Sequence, residues 1–197
     1  MVATLFYRVI SRLLRLLLPI WVKVGQSNLD ELPPRGPFVL CPNHLSVLDP
    51  LLLAAFSPRP MTFMAAGYLF EIPVVGSVLR LAGVLALGGT ARSRMSLARA
   101  LEILEQEEPV ALFPEGGVRQ GVSGALERGA GFLAVRTGVP LVPVLLRGTD
   151  RVLPTGRYVP RRGEVEIIVG SPILAGEDDT SGDLVEELSV ALQKMAR

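Results

Sequence analysis

Two residues in the chain have the types and spacing that could support proton transfer with a substrate. His44 is the only histidine, and Asp49 follows it five residues later. If residues 45–49 enter a helix, the carboxylate lies a little over one turn away and can fold back toward the imidazole. A carboxylate hydrogen-bonded to one ring nitrogen fixes the tautomer and leaves the other nitrogen as a general base. Because a lone histidine more often has a structural role, the pair needs support from its surroundings.

The sequence lacks the other common catalytic patterns. Ser123 is not in a G-x-S-x-G nucleophile elbow, and there is neither a phosphate-binding P-loop nor a G-x-G-x-x-G fingerprint. One cysteine and one histidine do not make a zinc cluster. A His–Asp pair without its own nucleophile indicates that a substrate, for example an alcohol, supplies the nucleophile. Cys41 is the alternative nucleophile, although a cysteine at a buried strand end is more often inert.

The elements that would position these residues alternate between strands and helices. Apolar runs predict strands at residues 38–41, 61–65, 84–87, 110–113, 141–146 and 165–169. Helical spacing predicts helices at residues 48–56, 74–81, 93–107 and 125–137, and a C-terminal amphipathic helix through Leu184, Leu188 and Leu192. We therefore expect a single α/β domain with a mainly parallel sheet flanked by helices. Loops that leave strand ends usually build the site in such folds, here those after Cys41 and Phe113.

The N-terminal segment indicates membrane association. Residues 2–24 are rich in leucine, isoleucine and valine, with four cations and no acid. Arg8, Arg12 and Arg15 share one helical stripe, so an amphipathic helix in the interface, with its arginines toward anionic headgroups, is favoured over a spanning helix. A signal peptide and a core helix are the alternatives. We divide the chain into a membrane-interface helix at residues 1–25 and an α/β domain at residues 26–197.

Composition sets broad limits on function. The chain has 197 residues, 49% of them hydrophobic, and a net charge of +1, so a general nucleic-acid footprint is not indicated. A single cysteine cannot form an internal disulfide, which fits a reducing compartment.

Four blocks of sequence carry a family resemblance. The segment Asn43-His44-Leu45-Ser46-Val47-Leu48-Asp49 resembles the N-H-x-x-x-x-D motif of the glycerolipid acyltransferase superfamily, which includes 1-acyl-sn-glycerol-3-phosphate and lysophospholipid acyltransferases. Three further blocks agree in order and spacing: Phe70-Glu71-Ile72-Pro73-Val74-Val75-Gly76 with Leu81-Ala82-Gly83, then Phe113-Pro114-Glu115-Gly116, then Val142-Pro143-Val144.

The resemblance implies acyl transfer in phospholipid biosynthesis or remodelling. His44 would deprotonate a lipid hydroxyl, which attacks the thioester of acyl-CoA or acyl-carrier protein, with Asp49 orienting the imidazole. No metal or bound cofactor is implied. The partners would be membrane lipids and the acyl donor, at the cytoplasmic face of the cell membrane in a peripheral or monotopic position.

The resemblance also suggests supporting and substrate-binding residues. Asn43 and Ser46 would support the His44 loop. Glu115, Gly116 and Gly117 would bind substrate. Alternatively, Glu115 would accept backbone N–H bonds and the two glycines would serve the backbone geometry of the loop.

The cations of the family pattern are displaced in this sequence. Val118 stands where the pattern has arginine, and Arg119 follows it. A usual lysine–glutamate pair is replaced within Ala66-Gly67-Tyr68-Leu69, and a usual arginine by Gly88-Gly89, with Arg92 and Arg94 close behind. We take Arg92, Arg94 and Arg119 as candidate phosphate-binding residues. Residues 113–132 resemble more closely the acyltransferase domains that act on lysophospholipids such as lyso-phosphatidylethanolamine. The resemblance therefore favours such a lysophospholipid over lysophosphatidic acid, and the acceptor stays open between the two.

A basic stretch and two other functions complete the hypotheses. The stretch comprises Arg147, Arg151, Arg157, Arg161 and Arg162, and either binds the phosphates of the donor, an acidic carrier protein or anionic lipid, or is a solvated face. A lipid-binding protein without turnover and an acyl thioesterase, in which water replaces the alcohol, are the alternative functions.

Overall fold

The computed structural model describes residues 2–118, 126–157 and 159–197, and side chains from residue 5 onward. Within these residues, seven strands form one sheet in the order β1-β7-β6-β2-β5-β3-β4. Strands β6 and β7 are antiparallel, and the other neighbouring strands pair in parallel. The strands are β1 (Val22–Ser27), β2 (Val39–Pro42), β3 (Thr62–Ala66), β4 (Leu85–Leu87), β5 (Val110–Leu112), β6 (Leu141–Arg147) and β7 (Gly163–Val169).

Helices cover both faces of this sheet. They are α1 (Val2–Leu17), α2 (Leu48–Phe56), α3 (Pro73–Leu81), α4 (Thr90–Glu105), α5 (Gly129–Thr137), α6 (Thr149–Val152) and α7 (Ser181–Ala196). Alternation along β2 separates two cores, because Leu40 points to one face and Val39 and Cys41 point to the other. The first core lies under α1 and α2, and the second lies under α4, α5 and α7. Helix α3 contacts α1 and belongs to the first layer, as a right-handed crossover from β3 to β4 requires.

The structure confirms the predicted α/β class and the mainly parallel sheet. Each predicted strand and helix is present with its ends shifted by a few residues, and residue 125, the start of one predicted helix, lies outside the described residues. The antiparallel β6–β7 pair is explained by its connection. Within the described part of residues 148–162, the single turn α6 is the only helix or strand, whereas a parallel pair needs a long crossover.

The end of the predicted N-terminal helix is wrong. Residues 22–24 form part of β1, which pairs with β7 at the edge of the sheet. The division proposed at residue 25 therefore falls inside a strand. Apolar β-branched Val22 and Val24 also suit a strand, and pairing with β7 decides between the two conformations.

Helix α1 has both a packed side and an exposed apolar side. Tyr7 and Leu14 pack against the core, and the Tyr7 hydroxyl donates to the carbonyl of Ala54 at 3.4 Å. The opposite stripe is exposed and contains Leu5, Val9, Leu13, Leu16 and, beyond the helix, Ile20. Within the described residues, no helix is both long and apolar enough to cross a bilayer.

Arg15 differs from the exposed Arg8 and Arg12 of the predicted arginine stripe, because its side chain binds another helix. Its Nε donates to the carbonyl of Ala55 at 2.8 Å, so it binds the C-terminal end of α2 instead. This position is favourable because the last carbonyls of a helix carry partial negative charge.

Candidate active site

The candidate site lies at the carboxyl edge of three parallel strands. Strands β2, β5 and β3 are neighbours, so the loops that follow them meet at one edge. His44 comes two residues after β2, Phe113 comes directly after β5, and Gly67 comes directly after β3. The fold thus brings together the two loops that the sequence singled out.

His44 and Asp49 form a direct hydrogen bond. Nδ1 of His44 lies 2.9 Å from Oδ2 of the fully buried Asp49. The same oxygen accepts the backbone N–H groups of Leu45 at 2.6 Å and Ser46 at 2.7 Å. Because Oδ2 acts as an acceptor for all three groups, Nδ1 carries the proton and Nε2 is left as the basic nitrogen.

The imidazole is also held by the loop after β5. The rings of His44 and Phe113 stack with centroids 4.1 Å apart and an interplanar angle of 27°. The His44 side chain keeps 16% of its surface exposed, which leaves it accessible to a substrate. The sequence predicts Phe113 at a strand end beside a site loop, but it carries no signal for the stacking on His44.

Glu115 links the loop after β5 to the loop after β2. It is 1% exposed, and its Oε2 accepts the backbone N–H of His44 at 3.4 Å. This geometry matches the backbone-binding alternative, while contact of Glu115 with a substrate stays a prediction.

Asn43 and Ser46 attach the His44 loop to the neighbouring strand and its following loop. Asn43 exchanges two hydrogen bonds with the backbone of Leu146, at 2.7 and 3.1 Å. The hydroxyl of Ser46 donates to the carbonyl of Leu153 at 2.6 Å and accepts the N–H of Leu48 at 3.1 Å. The two carbonyl partners leave no trace in the sequence, because any residue type supplies a carbonyl.

The glycines after Glu115 differ in their surroundings. Gly116 has φ +70° and donates its N–H to the carbonyl of Phe113 at 3.2 Å, which closes the turn. Gly117 is exposed. The predicted phosphate contact Arg119 lies outside the described residues.

The other candidate cations stand on the first turns of α4. Arg92 and Arg94 are exposed, and neither has an ion-pair partner within the part of the chain that the structure describes. An Arg92 guanidinium nitrogen lies 2.5 Å from where a Cβ on Gly67 would stand. Glycine at residue 67 therefore makes room for Arg92 at the carboxyl edge of the sheet.

The basic stretch does not form a uniformly positive surface. Arg147 donates to the carbonyl of Met195 at 2.6 Å and lies 3.7 Å from the carboxylate of Glu166. Together with Arg151 and several acids it lines an open cavity of about 420 Å³; the other lining residues include Asn43, Leu45, Asp150 and Glu164. Binding of donor phosphates by this stretch stays a prediction. The described residues contain no group of three or more side chains suited to a metal ion.

Comparison with known proteins decides the family. The family model described as Acyltransferase matches residues 23–147, more than half of the chain. The chain belongs to this acyltransferase family. A chloroplastic 1-acyl-sn-glycerol-3-phosphate acyltransferase from Brassica napus, BAT2, is 33% identical over 162 residues, covering 80% of this chain and 47% of its own.

Two further acyltransferases, from Bacillus subtilis and Thermotoga maritima, are also similar to this chain. A 1-acyl-sn-glycerol-3-phosphate acyltransferase from Bacillus subtilis is 26% identical over 168 residues, covering 85% of this chain and 82% of its own. The crystal structure of the 1-acyl-sn-glycerophosphate acyltransferase PlsC from Thermotoga maritima has a TM-score of 0.76 and 23% identity, covering 98% of this chain and 78% of that one. This similarity shows that the protein and the Thermotoga maritima enzyme have the same fold. The chain spans about half the length of the plant relatives it matches.

Proposed function

We propose that this protein transfers a fatty acyl group from an acyl thioester, acyl-CoA or acyl-carrier protein, to the hydroxyl of a lysophospholipid. The first acceptor to test is 1-acylglycerol 3-phosphate, because the plant and Bacillus subtilis relatives are named as acyltransferases for it. The observation that carries the proposal is the His44–Asp49 pair, whose hydrogen bond leaves Nε2 basic at an accessible edge of the sheet.

In the proposed reaction the acyl group passes directly from the thioester to the acceptor hydroxyl, without a covalent enzyme intermediate. Nε2 of His44 takes the proton of the acceptor hydroxyl as the oxygen attacks the thioester carbonyl carbon. The C–O bond forms, the tetrahedral adduct collapses and the C–S bond breaks. The departing thiolate receives the proton from the imidazolium, so the histidine returns to its starting form. Asp49 stabilises the imidazolium between these two transfers. These steps use no metal or bound cofactor.

Arg92, Arg94 and Arg119 are proposed to bind the headgroup phosphate. Residue 67, over which Arg92 lies, follows the strand two places from β2. Adjacent strands are about 4.8 Å apart, so this position is roughly 10 Å from the end of β2. A phosphate on the carbon next to the reacting hydroxyl, together with the length of an arginine side chain, spans that separation.

The proposed cellular position is peripheral, on the cytoplasmic face of the membrane, in phospholipid biosynthesis or remodelling. The exposed apolar stripe of α1 supports a helix lying in the interface.

The test is product analysis with purified protein in detergent or vesicles. Labelled acyl-CoA and acyl-carrier protein are each offered with lysophosphatidic acid and a panel of neutral-headgroup lysolipids. We expect acylated lipid from the wild type and a loss of about 10²–10⁴-fold in His44→Ala. Cys41→Ala serves as the matched control at a residue outside the proposed steps. Free fatty acid as the only product would favour a thioesterase, and binding without turnover would favour a lipid-binding protein. Turnover that survives His44→Ala would contradict the mechanism.

A further inference from the structure

Helix α3 presents an apolar face that the protein itself leaves uncovered. Val74, Val78 and Leu81 are spaced i, i+4 and i+7 and all are exposed, Val74 by 76%. Ile72 and Val75 beside them are exposed as well. Single exposed apolar residues are ordinary, but five on one nine-residue helix and its N-cap form a continuous patch.

Helix α3, which carries this patch, contacts helix α1, which carries the other exposed apolar stripe. The two helices contact each other and belong to the same layer over the sheet. The stripe of α1 adds Leu5, Val9, Leu13 and Leu16 to the exposed apolar surface. The two contacting helices thus both expose apolar side chains outside the first core.

The charges on helices α1 and α3 are complementary to an anionic lipid bilayer. Neither α1 nor α3 contains an acidic residue, while Arg8, Arg12 and Arg80 are exposed on them. Glu71, which precedes Ile72 and α3, is an acid at the N-terminal end of α3. Cations beside an apolar helix face interact with lipid phosphates at the depth where headgroups lie. Tyr68, exposed in the turn Gly67–Glu71, is of the type that favours the interface.

We propose that α3 inserts its face of Val74, Val78 and Leu81 into the same leaflet as α1. The inference extends the proposed membrane position of α1 and does not depend on acyl transfer. Because the turn before α3 follows directly from β3, this contact holds the carboxyl edge with His44 and Arg92 against the headgroup layer. A lysolipid then reaches His44 without leaving the leaflet.

Environment-sensitive labelling tests the contact directly. Single-cysteine positions are introduced as Val78→Cys, Leu13→Cys and, on the opposite layer, Val190→Cys, and are labelled with a polarity-sensitive maleimide dye. Val78 and Val190 are both 44% exposed, so they form a matched pair. The native Cys41 is fully buried and does not compete for the dye. We expect a blue shift at residues 78 and 13 with phosphatidylglycerol–phosphatidylcholine vesicles, and none at residue 190. A shift at residue 13 without one at residue 78 would overturn the proposal while leaving the α1 position intact.

Vesicle binding by charged variants gives a second measurement. The double substitution Val74→Asp/Val78→Asp is expected to weaken co-sedimentation with the same vesicles by about tenfold or more, since each valine loses its apolar transfer energy. Val190→Asp should bind as the wild type does. Acyl transfer to a detergent-dispersed lysolipid should be retained by the double variant, which separates the two proposals. Unchanged vesicle binding would contradict insertion of α3, whatever the outcome for activity.

Discussion

Asn43 and Leu146 are joined by two hydrogen bonds at the point where strands β2 and β6 end. The side-chain amide of Asn43 donates to the carbonyl of Leu146, and the Leu146 N–H donates to Oδ1 of Asn43. The side chain thereby continues the pairing of the two strands beyond their last backbone contact. Both residues are fully buried, so neither backbone group of Leu146 has water to replace Asn43.

Asn43→Ala should therefore destabilise the protein strongly. Two buried backbone groups lose their partners, at about 1–3 kcal/mol each, so we expect a loss of about 2–6 kcal/mol in the free energy of unfolding. Urea denaturation measures it. Asn28→Gly is the control, because Asn28 has φ +56°, which glycine adopts without strain, and makes one partly buried bond. Equal midpoints for the two variants would contradict this role of Asn43.

Asp49→Asn should separate charge from hydrogen bonding. An amide oxygen in the place of Oδ2 can still accept the three donors, while Oδ1, which has no hydrogen-bond partner within the described residues, becomes the amide nitrogen. The tautomer of His44 is kept, but the imidazolium loses its counter-charge. We expect kcat to fall about 10²–10³-fold with a nearly unchanged KM. A full kcat at normal pH would show that the carboxylate charge has no part in turnover.

Cys41 should be inert toward thiol reagents in the folded protein. It is fully buried on the side of the sheet away from α2, and burial raises the pKa of its thiol. We expect no alkylation by iodoacetamide at pH 8 in buffer and complete alkylation in denaturant, followed by mass spectrometry. Acyl transfer by Cys41→Ala should stay within a few-fold of the wild type. Loss of turnover in a folded variant would point to an acyl-cysteine intermediate instead.

The same thiol should make stability depend on alkaline pH. A thiol whose pKa is higher in the folded than in the unfolded chain stabilises the fold below the unfolded pKa, about 8.5. This stabilisation is lost as the pH rises toward the folded pKa. We expect the free energy of unfolding to fall by up to about 1.4 kcal/mol per pH unit above pH 8.5. Burial also raises the pKa of the Tyr7 hydroxyl to about 12. The free energy of unfolding should therefore fall further above about pH 10, and Tyr7→Phe should remove that part of the fall. Urea denaturation from pH 7 to 10 should show a flatter dependence for Cys41→Ala, and identical slopes would contradict the assignment.

Two glycines with similar backbone angles should differ in their tolerance of alanine. Gly148 has φ +80° and a Cβ there would lie 2.5 Å from the carbonyl oxygen of Glu164, whereas Gly138 has φ +70° and open space around it. Both substitutions meet the left-handed penalty of about 1–2 kcal/mol. Gly148→Ala also forces β7 away, at about 1–3 kcal/mol more. Thermal denaturation of the two variants measures the difference, and equal melting temperatures would show that β7 yields without cost.

The sequence predicted the elements whose apolar pattern is self-contained. Helix α2 and strand β2 follow from runs of buried residues, and His44 and Asp49 follow from their types and spacing. Strand β1 could not be predicted from its own pattern, because Val22 and Val24 suit a helix or a strand and the choice depends on pairing with β7. Two further contacts join segments that are distant in the chain: Phe113 stacks on His44, and Arg15 binds the carbonyl of Ala55. A single sequence does not show which distant segments come into contact in the fold.

The edge strand β1 imposes an order on the assembly of the protein. Lys23 on β1 and Glu164 on β7 form an ion pair at 2.8 Å, although 141 residues separate them. At a synthesis rate of about 5–20 residues per second, β7 leaves the ribosome on the order of ten seconds after β1. During that interval β1 lacks β7, the strand with which it pairs in the sheet. Among the described strands, β1 is translated first, and it cannot take its place in the sheet before β7, which is translated last. Helix α1 can therefore meet a lipid surface while the rest of the chain is still being translated.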